Sequence, residues 1–205
     1  MTLEINFYQN DLPSNIQLKG DLAIDTETMG LNIKRDKLCL IQISDEESKI
    51  VLVNFQDNNY SAPNLKKLLL DPSRVKIFHY ARFDIASIMY YLQIKMTNIF
   101  CTKIASKIVR TYTEYHGLKE LCRELLGIQI SKDQQSSDWG NATLSEKQQE
   151  YAAKDVIYLH KLREVLISML TREKRLDLAL ECMQFLNTRV ELDLKGWSEI
   201  DIFAH

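Results

Sequence analysis

The order of apolar patterns predicts an α/β fold, with a mixed sheet built around an antiparallel meander and flanked by helices. Three strand-like runs follow one another between Asp21 and Phe55, and a short apolar strand then flows directly into a helical pattern. Beyond Phe100 the apolar spacing is helical. Strands first and helices interleaved later fit an α/β or α+β layer arrangement; the pattern leaves the strand order open.

The three runs are LAIDTE, KLCLIQIS and KIVLVNF, separated by the polar punctuation GLNIKRD and DEES. Such short connections favour antiparallel pairing. A helical pattern from Asn64 to Leu70 is ended by Asp71-Pro72, after which the strand VKIFHY leads into helical spacing from Phe83 to Leu92. Further helices are predicted over about Thr102–Arg110, Leu118–Leu126 and a long segment near Leu144–Leu170, with Thr143-Leu-Ser-Glu146 as its capping box. A last helix, near Arg175–Thr188, precedes a tail carrying Trp197, Ile200, Ile202 and Phe203. Those apolar side chains pack either on a neighbouring subunit or on the chain's own helices.

With 205 residues and 45% apolar content, the chain is expected to form one domain, residues 1–205, with its C-terminal helix and tail near 175–205. The formal charge of −2 and a pI near 6.1 exclude a global positive field of the kind that tracks a long phosphate backbone. A nucleic-acid substrate would have to be short or held locally. Cys39, Cys101, Cys122 and Cys182 are scattered, with no CxxC pair and no histidine at zinc-ligand spacing, and read as reduced, mostly core thiols. The start, MTLEINFYQN, has no targeting pattern, and no run approaches the 18 apolar residues of a membrane span, so a cytoplasmic protein without membrane contact is expected.

Asp25 and Glu27 carry the chemistry. Residues two apart on a strand share a face, so IDTETMGL presents both carboxylates side by side at the end of an apolar run. A lone pair of this kind is ordinarily an exposed strand end and needs company. Asp84 follows VKIFHY near a helix start, where it is either a dipole-favoured N-terminal acid or a third member of the cluster. Tyr151 and Asp155, four apart, share a face of the long helix beside the apolar stripe Ala152, Val156, Leu159 and Leu162. Four acids in one small volume repel unless cations neutralise them. An all-oxygen ligand set suits Mg²⁺ or Mn²⁺ rather than zinc. Two such ions about 4 Å apart would form a clamp for phosphodiester cleavage.

IDTET, HYARFD and YAAKD together resemble the three motifs of the DEDD 3′-5′ exonucleases, in the subclass whose third motif is Tyr-x-x-x-Asp, as in ribonuclease D. LCLIQIS and SDWGNATLSEKQQEYAAKDVIYL extend the resemblance over roughly Asp21–Leu170. It implies a ribonuclease H-like (DnaQ-like) exonuclease fold, with Asp25, Glu27, Asp84 and Asp155 ligating two divalent cations and Tyr151 contacting the attacking water. Two departures from ribonuclease D stand out: only about 35 residues follow Leu170, and Cys101 occupies a position that is commonly Asp. FCTKIASKIVRTYTEYHGLKEL and ISKDQQSSDW are closer to the nanoRNase C family. That resemblance implies cleavage of short RNA, chiefly 5′-phosphorylated dinucleotides, by a homo-oligomer, an octamer.

Thr26, Met29, Gly30 and Leu31 follow or flank the first acids. The resemblance makes Leu31 a wedge between two bases; otherwise it is ordinary core. His79, Lys103, Gln134, Gln135, Ser136 and Ser137 are candidates for the scissile or 5′ phosphate. His79 sits on an apolar strand and is alternatively a satisfied core histidine. Lys103, Lys107 and Arg110 share a helical face that either attracts an anion or is merely solvated. Two rival functions stay open: a broader exonuclease on structured RNA or single-stranded DNA, and an inactive nucleic-acid-binding module on the same fold.

Overall fold

The meander forms as expected, because its runs alternate or fill both faces of a buried sheet. In the computed structural model, which describes residues 4–130 and 137–205, strands β2 (Leu22–Thr28), β3 (Leu38–Asp45) and β4 (Ile50–Asn54) pair antiparallel in succession. Every residue of β3 and β4 is buried, which their near-continuous apolar composition requires. Two strands escape the pattern. β1 (Ile5–Gln9) runs parallel to β4 at one edge, and the three-residue β6 (Ile99–Cys101) runs parallel to β5 (Lys76–Phe78) at the other. β5 in turn lies parallel to β2, giving the order β1-β4-β3-β2-β5-β6. Both edge strands pair with partners distant in sequence, and neither is long enough to show a clear period.

The helices are α1 (Pro63–Leu69), α2 (Ala81–Leu92), α3 (Thr102–Val109), α4 (Leu118–Leu121, running into a π-helical turn at Cys122–Leu126), α5 (Glu146–Ile157), α6 (Leu159–Arg172), α7 (Leu176–Gln184) and α8 (Leu186–Leu192). The single long helix expected over Leu144–Leu170 is two helices, broken at Tyr158, whose ψ of −8° departs from the helical value. The break lets α5 lie against β2, β3 and β4 while α6 turns toward α3 and β5. The predicted apolar stripe survives it, since Ala152, Val156, Leu159 and Leu162 are all fully buried.

The capping box is also displaced by two residues. Ser145 Oγ accepts from the Gln148 amide N–H at 3.3 Å, and Gln148 Oε1 accepts from Ser145 N–H at 3.0 Å. Thr143 and Glu146 fit the same rule on paper, but Gln148 also donates from Nε2 to the Asp138 carbonyl, at 3.0 Å, and to Ser137 Oγ, at 3.2 Å. One side chain thereby caps α5 and pins the segment leading into it.

Two apolar clusters sandwich the sheet. The larger joins Leu22, Ile24, Ile41 and Ile43 to α1, α2, α3 and α6. The smaller packs Cys39, Leu40, Ile50 and Leu52 against Trp139, Leu144, Ala152 and Ala153. The cysteines are free, three buried and Cys182 exposed. In the tail, Trp197, Ile200, Ile202 and Phe203 are exposed, and the Phe203 ring meets Phe185 at 6.2 Å. No helix among the described residues is long and apolar enough to cross a membrane.

Candidate active site

Strand alternation sends Asp25 and Glu27 toward α5 and Thr26 toward α2. The β2–β3 register slips between Glu27 and Thr28, a bulge-like irregularity that ends the regular ladder just where the second acid emerges. From α5, spacing of four brings Tyr151 and Asp155 over the same strand end. Carboxylate oxygens of Asp25, Glu27 and Asp155 lie within 4.8 Å of one another. Asp84 stands in the first turn of α2 and is only 3% exposed. It approaches from the opposite side of β2, where Thr26 Oγ1 donates to Asp84 Oδ1 at 2.7 Å.

The turn that delivers Asp84 is strained. Tyr80 has φ 68°, in the left-handed region, so β5 passes into α2 with little intervening chain. A bulky residue accepts that conformation at a cost of about 1–2 kcal/mol.

Burial and mutual repulsion act on every acid. Burial raises the pKa of Asp25 well above the carboxylate range, and the charges of Asp84, Asp155 and Glu27 push it further. Glu27 is raised in the same way, by burial and then by Asp155 and Asp84, against a partial offset from a Gln42 hydrogen bond. Burial lifts Asp84 to about 7, although the Thr26 hydrogen bond opposes the shift. Tyr151, hydrogen-bonded to Asp155, is raised by burial first and by the Asp155 and Glu27 charges next, so it holds its proton at neutral pH. Such a site binds either protons or cations, and its all-oxygen donors match the hard divalent ions rather than zinc.

The acids line a cavity of about 600 Å³ together with Thr26, Met29, Gly30, Leu31, His79, Ser137 and Tyr151. Leu31 is 86% exposed at this cavity, which removes the alternative that it is core. Met29 lies against Gly140, where an added Cβ would come within 2.8 Å of its sulfur. Gly30 is needed for a close approach: a Cβ there would stand 2.4 Å from Asp36 Oδ2. That oxygen accepts from Asn32 N–H at 2.9 Å, and the Arg35 guanidinium, with this amide, holds Asp36 down at about 2. Asp36 thus braces the loop presenting Leu31.

The remaining candidates divide. His79 is half-buried in the cavity wall, with Nδ1 2.9 Å from Thr102 Oγ1. The Thr102 hydroxyl gives its proton to the Phe78 carbonyl, which makes His79 Nδ1–H the donor in that pair. Thr26 keeps its place in the wall, but its hydroxyl is committed to Asp84 rather than turned to a ligand. Lys103 stacks over the Tyr80 ring at 4.2 Å and lines a neighbouring cavity with Lys107, not the one holding the acids. Arg110 does not extend a basic stripe: it is fully buried and bonded to Glu124, Ser106 Oγ and the Tyr115 carbonyl. Gln134, Gln135 and Ser136 lie outside the described residues. Trp139, in the cavity wall with its ring 6.0 Å from that of Tyr151, and Gln42, hydrogen-bonded to Asp25, were not singled out from sequence. Trp139 is the last residue of the ISKDQQSSDW text itself, directly after Ser137 and Asp138; Gln42 becomes visible only once strand register is known.

The family described as 3′-5′ exonuclease matches residues 3–171. A structure of Brucella melitensis NrnC bound to pGG superposes with a TM-score of 0.95 at 51% identity, covering 100% of both chains. One of Brucella melitensis NrnC with bound Mg²⁺ gives 0.93 at 51% identity, over 98% of each chain. Ribonuclease D of Gluconacetobacter diazotrophicus is 35% identical over 156 residues, 76% of this chain and 39% of that protein. The chain therefore spans about two fifths of the length of the curated ribonuclease D relatives it matches first. The mixed six-stranded sheet with flanking helices is the DnaQ-like exonuclease fold shared with these proteins.

Proposed function

The chain belongs to the 3′-5′ exonuclease family, and from that premise we propose that it hydrolyses very short RNAs, chiefly 5′-phosphorylated dinucleotides, to nucleoside 5′-monophosphates. The observation that carries this reading is one cavity in which four carboxylates and Tyr151 face an exposed Leu31. The end-to-end similarity to NrnC, a protein seen with pGG, supports the substrate class.

In this reading Asp25, Glu27, Asp84 and Asp155 hold two divalent cations, Mg²⁺ or Mn²⁺. Bound there, the pair supplies Lewis acidity, lowering the pKa of a water and neutralising charge on the phosphate oxygens. Tyr151 keeps its proton and donates a hydrogen bond through it to the Asp155 carboxylate, which leaves the phenol oxygen to accept a hydrogen bond from the attacking water. Its role is orientation, since a phenol raised above its usual range is no base at neutral pH. The water oxygen bonds to phosphorus as the P–O3′ bond breaks; the 3′ nucleotide leaves as its 5′-monophosphate and the freed O3′ takes up a proton. Leu31 inserts between the two bases, an apolar contact that reads no sequence. His79 and Ser137 flank the phosphate from the cavity wall.

The test is a length series. With Mg²⁺ or Mn²⁺, 5′-phosphorylated RNAs of two to seven nucleotides are compared with longer RNA. Rapid dimer cleavage with slow heptamer cleavage is expected; equal rates at all lengths would replace this reading with a broader exonuclease, and no turnover at any length with a binding module.

A further inference from the structure

Gln42 is the cross-strand partner of Asp25 in the antiparallel β2–β3 ladder, so both side chains emerge on the face that α5 covers. It is fully buried. Its Nε2 donates to Asp25 Oδ2 at 2.6 Å and also reaches the Glu27 carboxylate. Its Oε1 is buried as well, and accepts from no group among the described residues. Leaving a carbonyl oxygen buried and unpaired costs about 1–3 kcal/mol, and an apolar side chain of the same size would avoid that cost. The core around it is apolar: Leu40 and Leu52 share its face. Packing therefore does not explain an amide at this position, whereas the two acids do.

The charge type points the same way. A lysine or arginine at position 42 would also donate to Asp25 and Glu27, but it would cancel the negative charge that attracts cations. A neutral amide aligns the carboxylates and leaves their charge intact. The same division is visible on the other side of β2, where the neutral hydroxyl of Thr26 holds Asp84.

We propose that Gln42 is a positioning residue of the metal centre, its amide fixing Asp25 and Glu27 in the orientation that converges on Asp155. This rests on the two-cation reading above. Groups that orient metal ligands in this way typically contribute 10- to 100-fold in metal affinity.

The test reads metal binding without substrate. Mn²⁺ affinity of the full chain is measured by calorimetric titration for wild type, Gln42→Met, Gln42→Asn and Asp25→Asn. Methionine keeps the volume without the donor; asparagine keeps the amide but shortens its reach by one carbon. Both are expected to bind Mn²⁺ at least tenfold more weakly than wild type and to need correspondingly more Mn²⁺ for half-maximal turnover. The melting temperature of Gln42→Met in chelator should equal or exceed that of wild type, which a merely structural role would not allow. Wild-type Mn²⁺ affinity in whichever variant folds, alongside a loss in Asp25→Asn, overturns the role of Gln42 alone. Absence of Mn²⁺ binding by the wild type overturns the two-cation reading and this proposal with it.

Discussion

Replacing Asp84 with Asn should stabilise the metal-free protein while removing its response to metal. Burial holds the Asp84 carboxyl at about 7, against about 3.9 for an unfolded Asp. The folded state thus binds this proton more tightly than the unfolded chain does. That contribution to stability is present in full below about pH 4 and is lost as pH rises toward 7. Roughly three pH units at 1.36 kcal/mol each make the loss about 4 kcal/mol above pH 7 and about 1.5 kcal/mol at pH 5. Asparagine cannot ionise, and its Oδ1 can still accept from Thr26. In chelator at pH 8, Asp84→Asn should therefore melt higher than wild type by up to about 8–16 °C, at about 2–4 °C per kcal/mol for a chain of this size. At pH 5 the gap should shrink to a few degrees. Mn²⁺ should raise the wild-type melting temperature more at pH 8 than at pH 5, since protons compete for the site, and should barely move the variant. Thermal melts at both pH values, with chelator and with Mn²⁺, decide the matter. A variant less stable than wild type at pH 8 without metal, or one that keeps the full Mn²⁺ response, would refute the reasoning.

Other expectations concern turnover, substrate contact and assembly. Tyr151→Phe should lower kcat by about 100-fold or more with Mn²⁺ affinity unchanged, the mark of lost water orientation; equal turnover would remove Tyr151 from the reaction. Leu31→Ala should raise KM for a dinucleotide by about tenfold, a loss of about 1–2 kcal/mol of base contact, without altering Mn²⁺ binding. An unchanged KM would mean that Leu31, though exposed, touches no base. The exposed Trp197, Ile200, Ile202 and Phe203 fit self-association, so deleting residues 197–205 should reduce the assembly size seen by light scattering. An unaltered mass would assign the tail to its own subunit, where Phe203 already meets Phe185.

The acids were legible because each lies on an element whose period shows in the sequence. Asp25 and Glu27 sit two apart on a strand, and Tyr151 and Asp155 four apart on a helix. What brings them together was less so. β1 and β6 gain their identity from parallel partners far along the chain, and five or three residues carry too little pattern to announce them. The break at Tyr158 is silent because both halves keep a 3.6 period, and only the surfaces that α5 and α6 meet demand a change of direction. Arg110 looked like part of a solvent-facing basic stripe, since helical spacing alone does not reveal that Glu124, Ser106 and Tyr115 close over it. Thr26 sits between two acids in sequence, yet points the other way in space. Gln42 required the β2–β3 register, which apolar spacing restricts to a parity but does not assign to residue pairs.

The site works against the fold that carries it. Ionised Asp84 opposes folding by about 4 kcal/mol without metal, and the left-handed Tyr80 adds about 1–2 kcal/mol. Together these approach the whole stability of a typical domain, about 5–15 kcal/mol. Such a cost is tolerable only next to a rigid support, and β3 and β4, buried on both faces, provide it beside β2. Exposing the acids would relieve the repulsion, but water would then screen the charge that draws in cations. Burial is thus the common cause of what the ionised carboxylates cost the fold and of the cation affinity proposed for them, and neither can be engineered away without the other.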